Sequence, residues 1–184
     1  MKICIFGAGA IGGYLAAGLA QARGVDLSLI VRGAHLAAIK AEGLNLIKDG
    51  ERSTHRIAAT DDPRELGPQD VVISGLKAHQ SWDSAESLLP LLGTDTAVVT
   101  CQNGVPWWYF YNLQGPYKDR RLDAVDRGNR QWDVIGPDRA IGCSVYPAAE
   151  ITEPGVIKHV YGNKFALGEP SGTTEGRVVA ISEV

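Results

Sequence analysis

Residues 1–14 read MKICIFGAGAIGGY, and this stretch decides the fold. A short apolar run, Lys2 to Phe6, meets Gly7-Ala8-Gly9-Ala10-Ile11-Gly12, and a small-residue helical pattern follows at once. In that strand–turn–helix setting G-x-G-x-x-G carries a mechanism. Gly7 permits the tight turn off the strand, Gly9 leaves the backbone open to a pyrophosphate, and Gly12 lets the helix close on the strand. The free N–H groups and the positive dipole end of the helix then face the phosphates. A glycine-rich turn of any α/β protein could look the same. The matching context on both sides favours a dinucleotide held by Gly7, Ala8, Gly9, Ala10, Ile11 and Gly12.

Outward from the motif, Ala10 to Ala22 reads as a helix with Ile11, Leu15 and Leu19 on one face. Gly13 and Gly18 weaken it intrinsically but suit close packing on a sheet, and Gly24 supplies the stop. Leu27 to Val31 is then a nearly continuous apolar run, as expected of a parallel strand covered on both faces. This is the βαβ start of a Rossmann-type, doubly wound, mostly parallel α/β sheet.

Arg32 follows that second strand directly. NAD-binding versions place an acid about 20 residues past the glycines, on the ribose 2′-hydroxyl. Counted from Gly12 that place is Arg32, and no Asp or Glu lies between Leu27 and Ala41. Asp26 precedes the strand and so sits at the wrong end of the sheet. A guanidinium suits a 2′-phosphate through a charge-assisted contact, which favours NADP over NAD; a solvated surface arginine is the plainer alternative.

Gly33 to Glu42 reads as a short helix, and Leu44–Lys48, Asp49-Gly50 and Glu51–Ile57 as a hairpin extending or decorating the parallel sheet. His55 falls within it as a strand residue. Asp61-Asp62-Pro63 looks like a helix start, and Val71 to Ser74 like the next buried strand. Lys77, just beyond that strand, can donate to ribose hydroxyls or a substrate carboxylate, or be a surface lysine. His79 has no identifiable partner and reads as structural. Ser81 to Leu92 patterns as a helix packed through Trp82, Leu88, Leu89 and Leu92, and Thr96 to Cys101 as a strand ending at Gln102-Asn103-Gly104. Asn103 either contacts the nicotinamide-side ribose or substrate, or simply makes the turn.

Pro106 to Tyr111 is an aromatic cluster that either packs under a loop or walls a pocket. Gln114 to Arg139 reads as a polar excursion with a small hairpin through Leu122 to Trp132 and solvated charges. Strands follow at Ala140–Tyr146, then Val156–Tyr161 and Phe165–Leu167 about Gly162-Asn163. A helix begins at Glu175.

Lys and Arg number 18 against 21 Asp and Glu, a net charge of −3 that offers no electrostatic case for nucleic acid or an anionic membrane. No apolar run approaches bilayer length, and the first residues form a strand rather than a signal peptide. Cys4, Cys101 and Cys143 lie in apolar strand-like runs without a C-x-x-C. Buried free thiols in a reducing cytoplasm are the simplest account, with no disulfide framework or metal site.

Segments spread along the chain give a more specific indication: GAGAIGGY, VRGAHLAAI, LKAHQ, CQNGVPWW and YPAAEITEPGVIKHVYGNKFALGEPSG. With these the chain resembles the dinucleotide-binding half of the ketopantoate reductase (2-dehydropantoate 2-reductase) family. The resemblance implies NADPH-dependent reduction of a 2-oxo acid, ketopantoate to pantoate, on the way to pantothenate and coenzyme A. It implies that Gly7 to Gly12 hold the pyrophosphate and Arg32 the 2′-phosphate. Lys77 and Asn103 would contact nicotinamide ribose or substrate, and Ala149 would lie beside the cofactor. It divides the chain into an NADP-binding domain, 1–170, and the start of a linker or helix, 171–184. That segment leads towards an all-helical second domain carrying the general acid, so no catalytic residue is assigned within the chain. The expected partner is a small 2-oxo acid, with a homodimer left open. A catalytically silent NADP-binding sensor or assembly module is the competing class.

Overall fold

In the computed structural model, which describes residues 1–174 and 176–184, β1 (Lys2–Phe6) is buried on both sides. Ile3 and Ile5 face one core, Cys4 and Phe6 the other. The same alternation runs through β6 (Gln69–Ser74), β7 (Leu92–Cys101) and β8 (Ala140–Val145). Two-sided burial is what a parallel sheet requires. With β2 (Asp26–Ile30), β5 (Ala58–Thr60) and β11 (Phe165–Gly168), these strands form a seven-stranded sheet ordered β11-β8-β7-β6-β1-β2-β5. Every neighbouring pair in it is parallel except β11 with β8.

Helix α1 (Ala10–Leu19) lies between this sheet and a second one. The second sheet has four strands in the order β4-β3-β10-β9: β3 (Leu44–Lys48), β4 (Glu51–His55), β9 (Ala148–Glu153) and β10 (Val156–Tyr161). Adjacent glycines make the sandwich possible. A Cβ at Gly12 would run into the Gly7 carbonyl and sit 3.1 Å from Ile5, on the large sheet; one at Gly13 would meet Ile157, on the small sheet, at 2.8 Å. Gly18 differs from the packing role expected of it: it is exposed, and no other described part of the chain comes within 4 Å of a Cβ there.

The hairpin forms as read, with Asp49 and Gly50 both at positive φ. It does not extend the parallel sheet, however, because β3 pairs instead with β10 and carries Leu44 and Leu46 into the core beside α1. The strand that does widen the large sheet is β5, too short for a periodic signal. Val156–Tyr161 and Phe165–Gly168 likewise belong to different sheets, parted by a turn at Gly162 (φ 73°).

The stretch after Lys77 is α3 (Ala78–Ser81) and then a 3-10 run, Trp82–Leu91, packed through Ala85, Leu88 and Leu91, with Leu89 turned outward. Pro63–Glu65 is a single 3-10 turn whose amino end Asp62 caps, accepting from the Arg64 N–H at 3.0 Å.

The expected hairpin through Leu122 to Trp132 is absent among the described residues; that stretch holds a 3-10 turn (Arg127–Asn129) and α4 (Arg130–Val134). A capping interaction decides it. Asp126, 2% exposed, accepts from the N–H groups of Gln131 and Trp132, both at 2.9 Å. A buried carboxylate costs least where helix N–H groups meet it. Helix α5 (Arg177–Ser182) closes the chain, and the expected start of that helix at Glu175 lies outside the described residues.

Candidate cofactor site

Because the strands run parallel, the loops after β1, β2, β6, β7 and β8 gather at one edge of the sheet, where ligands bind in folds of this kind. Two cavities open there. The larger, about 660 Å³, is lined by Gly9, Ala10, Ile11, Lys77, Gln102 and Asn103 among others. The smaller, about 330 Å³, includes Ala8, Arg32, His35 and Asp61. They meet at Gly7, Gly9, Leu76 and Ile151, which line both. A two-lobed cavity pinched at a glycine turn fits a ligand with two bulky ends and a charged middle.

The turn itself is over-determined. Gly7 has φ 93°, and a Cβ there would lie 2.6 Å from Leu76. The N–H groups of Gly7 and Ala8 both donate to the Ile30 carbonyl, at 3.0 and 3.3 Å, so they are spent on β2. The groups left to face a pyrophosphate are the first N–H donors of α1, which lack intrahelical acceptors. Among the described residues, chain neighbours aside, no heavy atom lies within 4 Å of a Cβ position at Gly9. Its lack of a side chain answers no packing need inside the protein; it keeps open the space into which a phosphate would come. The residues present fit a dinucleotide.

Arg32 caps the amino end of helix α2 (Gly33–Glu42), exposed, and joins none of the ion pairs among the described residues. Its guanidinium is thus uncommitted at the mouth of the smaller cavity, with Asp61 as the carboxylate sharing that space. Lys77 is exposed on the wall of the larger one, and its backbone N–H donates to Gln80 Oε1 at 3.3 Å. Asn103 is tied down: its Nδ2 donates to the Val145 carbonyl, and the Val145 N–H donates to its Oδ1, both at 2.9 Å. The side chain extends the β7–β8 ladder by one rung, leaving one amide hydrogen and one lone pair for the cleft. Ala149, on β9, packs towards the core, whereas Ile151, on the same strand, reaches both cavities.

Sequence reasoning missed three groups. Ile151 belongs to a strand without a periodic signal. His35 braces the glycine turn through partners far away in the chain. Gln102 has a buried Oε1 with no donor among the described residues, on the wall of the larger cavity. The packing reading of the aromatic cluster holds for Trp107, buried at 2% exposure, whereas Trp108 and Tyr109 line a cavity of about 540 Å³ separate from the two at the glycine turn. The Trp108 indole lies against Gly142, where a Cβ would come within 2.9 Å of the ring.

The three thiols are free and buried. Burial pushes Cys4 up to about 12. The Cys101 thiol, beside the larger cavity, is pushed up by the neighbouring Cys143 thiol and by burial. Neither supplies a thiolate near neutral pH. Among the described residues no group of three or more His, Cys, Asp or Glu could hold a metal ion, and no helix is long and apolar enough to cross a membrane.

Fold and site together define a Rossmann-type α/β protein whose cleft fits a dinucleotide. Comparison with known families narrows this. The description "Ketopantoate reductase PanE/ApbA" matches residues 3–172, and the chain belongs to that family. A Mesorhizobium japonicum protein named 2-dehydropantoate 2-reductase is 56% identical over 183 residues, covering 100% of this chain and 56% of its own length. One of the same name from Pyrococcus horikoshii is 36% identical over 158 residues, 86% of this chain and 44% of that protein. Among solved structures, one from Ralstonia solanacearum, named provisionally as a ketopantoate reductase, superposes with a TM-score of 0.92 at 42% identity, over 98% of this chain and 56% of that one. The 2-dehydropantoate 2-reductase of Geobacter metallireducens gives 0.78 at 27% identity, over 100% and 54%. The chain spans about half the length of the curated relatives it matches.

Proposed function

We propose that the chain is the cofactor half of an NADPH-dependent reductase of 2-oxo acids, with 2-dehydropantoate, reduced to pantoate, as the substrate its relatives' names indicate. That places it in pantothenate and coenzyme A synthesis, in the cytoplasm. The observation that carries the reading is the pair of cavities joined at Gly7 and Gly9, with Arg32 in one and Lys77 and Asn103 in the other. The N–H groups from Gly9 to Gly12 hold the pyrophosphate, and Arg32 takes the 2′-phosphate by a charge-assisted contact. Lys77 and the free amide positions of Asn103 serve the nicotinamide ribose or the substrate carboxylate, with Ala149 nearby on β9. Bound NADPH supplies the hydride; this chain's residues bind it, orient it and keep water from it.

Residues 1–170 form the NADP-binding domain in this reading, and 171–184 begin the passage to a second, helical domain. The proton for the developing alkoxide comes from that second half rather than from any residue between 1 and 184.

The test is turnover. The chain joined to the remaining half of the Mesorhizobium relative is expected to oxidise NADPH when ketopantoate is added, and the chain alone is not. Failure of the joined protein on ketopantoate and on a panel of other 2-oxo acids, with NADPH still bound, would leave a nucleotide-binding module and end the reductase reading.

A further inference from the structure

One imidazole beside the glycine turn has both its nitrogens engaged by backbone groups from elsewhere in the fold. His35 stands in the first turn of α2, half-buried. The N–H of Gly155, in the turn between β9 and β10, donates to its Nδ1 at 2.8 Å. Its Nε2 lies 3.0 Å from the Ala8 carbonyl. A backbone N–H only donates, so Nδ1 must carry a lone pair; the ring proton then sits on Nε2 and is donated to Ala8. The ring therefore spans from the small sheet to the phosphate turn, joining residues 120 and 27 positions distant. Gly155 is itself pressed on α2, where a Cβ would lie 3.0 Å from that of Ala38.

We propose that neutral His35 is a positioning residue for the dinucleotide: it clamps the Ala8 carbonyl to the small sheet and so aims the first N–H groups of α1 into the open space at Gly9. The inference rests on the dinucleotide reading of that turn. It adds a pH dependence, because a doubly protonated ring would set a proton on Nδ1 against the Gly155 N–H, and the clamp would open.

Burial holds the His35 pKa below its ordinary 6.5, with the Ala8 bond acting the other way. The positive end of α2 also disfavours a cation there. Arg32 and Asp61 share its cavity, Glu153 ends β9, and the glycine turn brings no charge. A folded-state value below the unfolded one means that the clamp contributes fully above about 6.5 and is lost as pH falls through the lowered value.

The experiment titrates NADP+ and NAD+ into the wild-type chain, His35→Gln and His35→Phe between about pH 5 and pH 8, the window in which an imidazole titrates. Each is measured by calorimetry at temperatures where circular dichroism shows the protein folded. Comparing variants at each pH cancels the titration of the ligand's own 2′-phosphate. His35→Phe keeps a flat ring without the bonds and is expected to weaken both nucleotides about tenfold at neutral pH. His35→Gln retains a donor for Ala8 and cannot become a cation. The wild type should therefore lose affinity relative to it as the pH falls, and nitrogen NMR should show Nδ1 unprotonated at neutral pH.

Parallel pH profiles for the wild type and His35→Gln, or wild-type affinity in His35→Phe, would overturn the clamp while leaving the dinucleotide reading intact. A role in stability alone would give that same result, moving only the unfolding midpoint. Absence of NADP+ binding by the wild type at neutral pH would remove the dinucleotide reading, and the clamp with it.

Discussion

The two lobes of the cavity at the glycine turn are built by different kinds of contact. At the Arg32 end, a strand, a glycine turn and an arginine follow one another within the first 32 residues, and most of their contacts stay within that stretch: Gly12 against the Gly7 carbonyl, Gly7 and Ala8 against Ile30, with Gly7 against Leu76 the distant exception. At the other end the contact that fixes the wall is distant: Asn103 pairs with Val145, 42 residues on. Where the backbone geometry of a few adjacent residues makes the site, its chemistry is written in residue type and spacing. Where distant strands make it, residue type shows only that a polar side chain stands at the end of a strand.

That contrast can be broken at several points. The largest effect is expected at Gly12→Val, which forces a branched side chain onto the Gly7 carbonyl. It should cost about 3 kcal/mol in urea denaturation and abolish nucleotide binding; near-normal stability would mean that the turn is looser than its geometry implies. Next is Arg32→Ala, expected to weaken NADPH about 10- to 100-fold while leaving NADH little changed. Equal losses for the two nucleotides would return Arg32 to the solvated surface.

Asn103→Ala sharpens the distant end. It removes two hydrogen bonds to Val145 and should cost about 1–2 kcal/mol of stability, read from the unfolding midpoint. Unchanged stability with weakened NADPH would make Asn103 a ligand residue alone. The smallest effect has the opposite sign: Gly18→Ala, exposed inside α1 with nothing near its Cβ, should stabilise by about 0.5–1 kcal/mol. Destabilisation there would reveal a neighbour for that face of the helix.

The legible and illegible parts of the fold divide along the same line. The large parallel sheet could be read because strands covered on both faces are nearly continuous apolar runs, as at Ile3–Phe6 and Val71–Ile73. The second sheet could be read only in part: its hairpin and β10 were legible, but β9 runs Ala148–Glu153 with mostly exposed residues, and the sheet closes because β10 pairs with it and with β3. The excursion through Leu122–Trp132 misled for a related reason. Its fold is set by one buried aspartate capping a helix, and Asp126 looked in sequence like any surface acid. His35 was equally hidden, since its partners, Ala8 and Gly155, are drawn together only by the meeting of α2, the glycine turn and the small sheet. The position of Arg32 at the smaller cavity was legible because it depends on a count along the chain from Gly12.

The central claim is that one NADP molecule lies across this glycine turn with its 2′-phosphate at Arg32. Calorimetric titration of the 184-residue chain with NADPH and, separately, NADH tests it most directly. The account predicts one NADPH per chain, bound at least about tenfold more tightly than NADH. Equal affinity for the two would contradict the role of Arg32, and no binding of either would contradict the site.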